Sequence, residues 1–374
     1  MATLLLMEQL RFFNDFVQGD VKDSHLPLDL GRKGQRPILY DRDDKEIGSR
    51  HEWSWKYPEA EFFMVKQMQL CSLFCTVEED TPKGGFVNHF QLPYDAILPF
   101  RDCEAPKTVH GGFGTVTKVQ IEPSHFRYQG KSRKPKYFAV KTIRHSMQEH
   151  PYEADSLARR VAIPNMINRE HLHRLLFSFR RADLYYLVFE WADGDLTELW
   201  QRMPDQYKPN DHEHVCWFFR QCVGIVRSLH SLQNHHRSYS ASIEGELRRV
   251  RFNGSHGRHS DIKPQNILWF ENYQGTKKDH LVIADLGLAQ FNSTQSKSQV
   301  LWANVRGCTQ TYKAPESDVE TFVTGKYDIW GLGCVFLEHA SVFLLGDAKC
   351  IDEFSNSRKG ENEGHKKDRC HLVN

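Results

Sequence analysis

HSDIKPQNILWF, residues His259 to Phe270, decides how this chain is read. It sets an aspartate (Asp261), a lysine two positions on (Lys263) and an asparagine five positions on (Asn266) just ahead of an apolar, strand-like run. Packing alone gives no reason for that spacing, and a polar loop reproduces it rarely. The chemistry gives one. Asp261 can accept the proton of an attacking hydroxyl, Lys263 can neutralise a phosphoryl group in transfer, and Asn266 can ligate a metal.

Working outward toward the C-terminus, HLVIADLGLAQ places Asp285 at the end of a buried-type strand, just before Leu286 and Gly287. A carboxylate there can bind Mg²⁺, although a plain turn aspartate explains the same residues equally well. TYKAPE (Thr311 to Glu316) follows, and then YDIWGLGCVFLE (Tyr327 to Glu338), an apolar helix starting near Asp328. Toward the N-terminus, FAVK ends an apolar strand on Lys141, where burial demands an anionic partner. The helical stretch from Tyr152 to Val161 offers Glu153, with Leu157 one turn later on the same face. Taken alone, an exposed helix glutamate is the commoner outcome; as a pair with Lys141 it gains weight. GGFGTV (Gly111 to Val116) lies between strand-like runs, where glycines let backbone amides turn toward phosphate oxygens. A glycine-rich hairpin with no ligand is equally open, and PKGGF at Pro82 to Phe86 shows how readily glycine pairs arise.

Taken together and in this order, these motifs resemble those of the eukaryotic protein kinase family over Ile97 to Glu338. The resemblance implies an α+β, bilobal fold, with a small antiparallel β N-lobe carrying one helix and a mainly helical C-lobe. It implies ATP and Mg²⁺ as cofactors. Residue by residue, Val109, Gly111, Gly112, Phe113 and Gly114 correspond to the loop over the phosphates, and Lys141 pairs with Glu153. Asp261 matches the catalytic base, with Lys263 and Thr309 beside it, and Asn266 and Asp285 match the metal ligands. Phe189 matches the gatekeeper, Glu190 and Ala192 the backbone that meets adenine, and Val116, Ala139 and Leu268 the side chains around the base. Asp195 completes the nucleotide set. Leu157, Leu175, His259 and Leu286 match the hydrophobic column between the lobes, anchored on Asp328. Lys263 and Thr309 are similar to the Ser/Thr type, and the wording YLVFEWADGDL and GRHSDIKPQNILWF is similar to protein kinases of filamentous fungi.

Three departures from that family shape the expectations. Val109 stands where the first loop glycine belongs, so the loop rides less closely over phosphate. Ser260 replaces the arginine between the motif's His and Asp, against which an activation-loop phosphate docks. Activity is therefore expected not to depend on Ser293, Thr294, Ser296 or Ser298, and alanines there that abolish turnover would refute this. Beyond Glu338 only 36 residues remain, too few for the family's later helices. The C-lobe is expected to be incomplete, as in a truncated product, leaving an apolar helix face open to a protein partner.

The rest of the sequence sets bounds. Residues 1–96 read as an N-terminal extension with weak helical periodicity (Leu10, Phe13, Phe16, Val17) and an aromatic run, HEWSWKYPEAEFF. The kinase-like region is expected over 97–354, its N-lobe at 97–190 and its C-lobe at 191–354, where LTELWQRM and HVCWFFRQCVGIVRSLH take up helical spacing. Residues 231–257 read as an exposed polar insertion and 355–374 as a disordered tail. With 49 Lys plus Arg against 48 Asp plus Glu, the overall charge offers no field for nucleic acid or an anionic membrane. Nine scattered cysteines without a CxxC pair fit a reducing compartment, cytoplasmic or nuclear, and no stretch reaches the length of a membrane span. His212 and His214 flank Glu213 without HExxH spacing, which gives metal catalysis little support.

The functional expectation is a Ser/Thr protein kinase acting on a protein hydroxyl. A catalytically impaired, kinase-shaped scaffold is the alternative from another class, and a small-molecule kinase a third, against which Thr309 and TYKAPE count.

Overall fold

The computed structural model describes residues 1–33, 36–42, 45–49, 51–78, 88–103, 107–111, 114–129, 134–144, 170–182, 184–234, 239–243, 246–250, 255–273, 278–285, 290–293, 300–301, 310–315 and 322–351. Gly112, Phe113, Glu153, Leu157, Leu286, Thr309 and Glu316 lie outside them. So do the helix expected at Tyr152 to Val161, the tail at 355–374, and Thr294, Ser296 and Ser298.

The first 67 residues build their own core. Helices α1 (Ala2–Leu6), α2 (Phe13–Gln18) and α3 (Tyr57–Gln67) pack with an antiparallel sheet of β1 (Asp29–Lys33), β2 (Arg36–Tyr40) and β3 (Glu46–Ile47). The aromatic run supplies the filling: Trp55 and Phe63 are buried against Phe12 and Phe16, with ring centroids 5.0–5.6 Å apart. Helix α3 starts where Lys56 and Glu59 satisfy each other's end amides and Pro58 presets the first turn. Its last residue, buried Gln67, exchanges hydrogen bonds with both main-chain polar groups of Leu28, at 2.8 and 2.6 Å, which locks the helix to the segment entering β1.

The large sheet runs in the order β5 (Asn88–Leu92), β11 (Leu175–Arg181), β12 (Leu184–Glu190), β10 (Phe138–Arg144), β8 (Gly114–Ile121), β6 (Phe100–Arg101), with β7 (Thr108–Gly111) on β8. The strands of this sheet within 97–190 pair antiparallel, and β5, from the segment read as extension, joins β11 in parallel. A long connection between them lets the added strand run the same way. The pair β4 (Cys75–Glu78) and β9 (Phe126–Gln129) is parallel as well. Leu73, Cys75, Val77, Leu92 and Ala96, read from sequence as extension, pack in the same core as Phe138, Phe177, Phe179 and Val188. Position ahead of the motifs gives these residues no signal of their own; burial groups them with the sheet.

The helical part follows. Asp195 caps α4 (Leu196–Gln206) by accepting from the amides of Thr197 and Glu198, and Asp211 caps α5 (His212–Gln233) in the same way. Helix α6 (Lys326–Leu345) ends at Gly346, whose φ of +67° provides the left-handed cap. Leu199, Trp200, Leu229, Leu232, Leu332 and Val335 form their shared core over the small sheet of β13 (Gly194–Asp195), β17 (Ile267–Phe270) and β18 (His280–Ile283). The polar insertion carries a hairpin, β14 (Tyr239–Ile243) with β15 (Glu246–Val250), which its lack of periodicity did not suggest. Next comes β16 (Ser255–Arg258), paired with β19 (Gln290–Ser293), and the short pair β20 (Val300–Leu301) with β21 (Phe322–Val323).

One expectation about membranes changes. Helix α6 has the length and apolar composition to cross a bilayer, with mean hydropathy 1.4. Half of that window is buried, however, and Asp328, Glu338 and His339 within it are buried and hydrogen-bonded to other elements, which is the pattern of a core helix. Its outer face exposes Ile329, Leu337, Leu344 and Leu345.

Candidate active site

The loop from Arg258 to Asn266 is anchored from α6. Asp328 is fully buried and its carboxylate accepts the amides of His259 and Ser260, each at 2.8 Å. Burial pushes the Asp328 carboxyl upward, while His259, those two amides and Arg258 favour its ionised form. Ser260 adopts φ +72°, a conformation a non-glycine residue holds only when its surroundings compensate. The compensation is visible: its Oγ accepts from Nε of buried Arg258 at 2.8 Å, and its amide is one of the two on Asp328.

From that anchor the loop presents Asp261. Its Oδ2 accepts from Lys263 Nζ at 2.8 Å and from Asn266 Nδ2 at 3.0 Å, and its main-chain oxygen accepts from the same Nδ2 at 2.8 Å. With Nδ2 committed to Asp261, the amide oxygen is what Asn266 can offer a cation. The three residues singled out in HSDIKPQNILWF are therefore one hydrogen-bonded cluster.

Two further bonds tie this cluster to Asp285. His259 Nε2 donates to the Ala284 carbonyl at 2.7 Å, and the Ala284 amide donates to the Asn266 carbonyl at 2.8 Å. Asp285 then turns out of β18 with φ +56°. Its Oδ1 accepts from Lys141 Nζ at 2.5 Å. Lys141 lies mid-strand in β10, opposite Val116 on one side and Leu187 on the other, with its side chain 14 % exposed. The anionic partner that burial of this lysine demands is thus Asp285, 144 residues away in sequence; Glu153 lies outside the described residues.

The glycine motif forms the β7–β8 hairpin, with Gly111 opposite Gly114 and Val109 opposite Val116. Gly114 has φ +139°, and a Cβ there would collide with the Thr142 carbonyl oxygen, so the hairpin's close approach to β10 requires glycine. Val109 is 46 % exposed. Ala139 sits opposite Phe189 and next to β8, and Leu268 pairs with Asp195 across β13–β17, which places the proposed base-contacting residues on both sides of the junction between sheet and helical part. Asp195 spends its carboxylate on capping α4.

Two residues missed from sequence also belong here. Arg258 stands three positions before Asp261, and its only sequence signal is its place in GRHSDIKPQNILWF; its burial is a tertiary fact. His173 stacks on Phe189, with centroids 4.8 Å apart, and its Nε2 bonds the Glu190 carbonyl at 3.1 Å.

For a magnesium–nucleotide complex the donors fit. Among the described residues no three His, Cys, Asp or Glu side chains form a self-sufficient metal site. Mg²⁺ does not need one, since it is commonly held by one or two carboxylates together with substrate phosphates and water. Asp285 and the Asn266 amide oxygen are hard oxygen donors of that kind.

Residues 255–359 match the protein kinase domain family. Mitogen-activated protein kinase 9 of Oryza sativa subsp. japonica is 27% identical over 208 residues, 54% of this chain and 25% of that protein. Mitogen-activated protein kinase 20 of Arabidopsis thaliana is 26% identical over 211 residues, 54% of this chain and 28% of that protein. Mitogen-activated protein kinase KSS1 of Saccharomyces cerevisiae is 26% identical over 240 residues, 62% of this chain and 54% of that protein. The chain thus spans between about a quarter and about half the length of these relatives. The matched domain model and the three relatives are all protein kinases by name.

Proposed function

We propose that this chain, related by sequence to the eukaryotic protein kinases, is an ATP-dependent protein kinase with a bilobal site that phosphorylates a Ser or Thr hydroxyl. The observation that carries the reading is the continuous network from Asp328 through Asp261, Lys263 and Asn266 to Asp285 and Lys141. Each of its members has a part in phosphoryl transfer, and a purely structural loop would not need all of them.

Bound MgATP supplies the γ-phosphoryl group and its charge neutralisation. Asp261 orients the attacking hydroxyl and takes its proton, and Lys263, 2.8 Å away, faces the group in transfer. Lys141, paired with Asp285, would bind the nucleotide's phosphates, and Asn266 and Asp285 would hold the cation. The glycine hairpin covers the phosphates. Catalysis on this plan is positioning and electrostatic stabilisation. Ser/Thr preference, a cytoplasmic or nuclear location and a protein partner for the open face of α6 belong to the same proposal.

The test is turnover by the purified chain with Mg²⁺ and γ-labelled ATP, followed by identification of the labelled amino acid. Phosphoserine or phosphothreonine that Asp261→Asn removes supports the reading; no transfer to any hydroxyl substrate overturns it. The exposed Val109 in the glycine hairpin favours one alternative, a kinase-shaped scaffold. Nucleotide binding without turnover, unaffected by Asp261→Asn, would select it.

A further inference from the structure

Behind the Glu190 carbonyl the structure places a histidine. The amide of Trp191 donates to the Tyr137 carbonyl at 3.0 Å, so Glu190 and Phe138 form a pair that exchanges no ladder bonds, and the Glu190 carbonyl is turned away from β10. On that side lies His173, whose Nε2 is 3.1 Å from the oxygen. A carbonyl only accepts, so Nε2 carries the proton. The imidazole is held by more than this bond. Phe189 stacks on it with an interplanar angle of 24°, and the Phe270 ring lies 5.9 Å away. Its own amide donates to the Ile283 carbonyl at 2.9 Å, two residues before Asp285. One residue thus joins the end of β12 to the strand that delivers Asp285.

We propose that His173 is a specificity-determining residue for the nucleotide base, acting by fixing the direction of the Glu190 carbonyl. The inference rests on the kinase reading, in which adenine meets the backbone at Glu190. A carbonyl held in one direction is an acceptor that rewards an exocyclic amine on the base and opposes a carbonyl in its place. Without the imidazole N–H, the carbonyl side of this peptide loses that hydrogen bond while the Trp191 amide still bonds Tyr137, so the acceptor is less sharply aimed and that distinction weakens. His173 is a positioning residue in this scheme, since the contact to the base is made by Glu190.

The test compares ATP with inosine triphosphate, which carries oxygen for the 6-amino group and a proton on N1. The second change is the same for every variant, so the inference is read from how the ATP-to-inosine triphosphate ratio shifts between variants. Binding of each to the full chain is titrated with Mg²⁺ present, for the wild type, His173→Phe and His173→Gln. The phenylalanine keeps the stack and loses the donor; the glutamine keeps a donor. The wild type is expected to favour ATP at least tenfold, His173→Phe to lose about five- to tenfold of that ratio, and His173→Gln to retain most of it. If the phenylalanine variant does not fold, His173→Met makes the same donor-less comparison. A ratio unchanged within twofold in the donor-less variant overturns the inference while leaving the kinase reading intact. A glutamine variant as unselective as the donor-less one reduces His173 to packing and overturns it too. A wild type that binds neither nucleotide defeats the underlying kinase reading, and the inference with it.

Discussion

At the scale of single residues the site is held by a few groups whose removal has separate consequences. Asp261→Asn keeps the shape of the loop and removes the base, so turnover is expected to fall by roughly 10²- to 10⁴-fold, with nucleotide binding little changed. Steady-state kinetics beside a nucleotide titration checks both halves. Lys141→Met takes the cation from Asp285 and from the phosphates together. A kcat lower by about 10²-fold with weaker MgATP binding is the expected result, and wild-type kinetics would remove Lys141 from the site. Gly114→Ala introduces a Cβ against the Thr142 carbonyl at a φ of +139°. Its cost is about 1–3 kcal/mol, seen as a lower urea midpoint at unchanged slope. Of these residues the sequence singled out all three. It could not show that Lys141 meets Asp285, because a contact across 144 residues leaves no local periodicity.

At the scale of elements, caps and buried polar groups settle how helices are placed. The buried stripes of α4, α5 and α6 were legible from helical spacing, and the strands β8, β10, β12, β17 and β18 from short apolar runs between polar turns. The joint between α4 and α6 was not. Trp200 Nε1 donates to His339 Nδ1 at 2.9 Å inside the core, and burial lowers the imidazole pKa to about 3. Trp200→Phe preserves most of the apolar volume and leaves that nitrogen without its donor. A loss of about 1–3 kcal/mol is expected in denaturant unfolding, and no loss would show that the bond contributes nothing net. The parallel addition of β5 to β11 was equally hidden, since a strand's own pattern does not name its neighbour or its direction.

At the scale of the whole molecule, buried histidines make stability depend on pH. Burial lowers His171 and His173 to about 4 and His339 to about 3, against 6.5 unfolded. The unfolded chain therefore binds more protons below about pH 6.5, and the folded state loses stability as pH falls from there toward 4. The expected slope is up to about 1.4 kcal/mol per pH unit for each histidine. Urea midpoints at pH 7.5, 6.5, 5.5 and 4.5 check it; a flat profile would mean that these rings are already charged when folded. By itself the sequence determined which residues stand out in the loop, the glycine hairpin and the strand lysine, because spacing along a loop or strand is a local property of the chain. Only the tertiary structure decided that Asp285 is the lysine's partner and that Asp328 holds the loop from another helix. It also decided that Leu73, Cys75, Val77, Leu92 and Ala96 share the core of the large sheet and that His173 stands behind Glu190. Each of these is a pairing of groups far apart in sequence, chosen by burial, which makes an unpartnered charge or polar atom costly and so selects the partner that folding brings within reach.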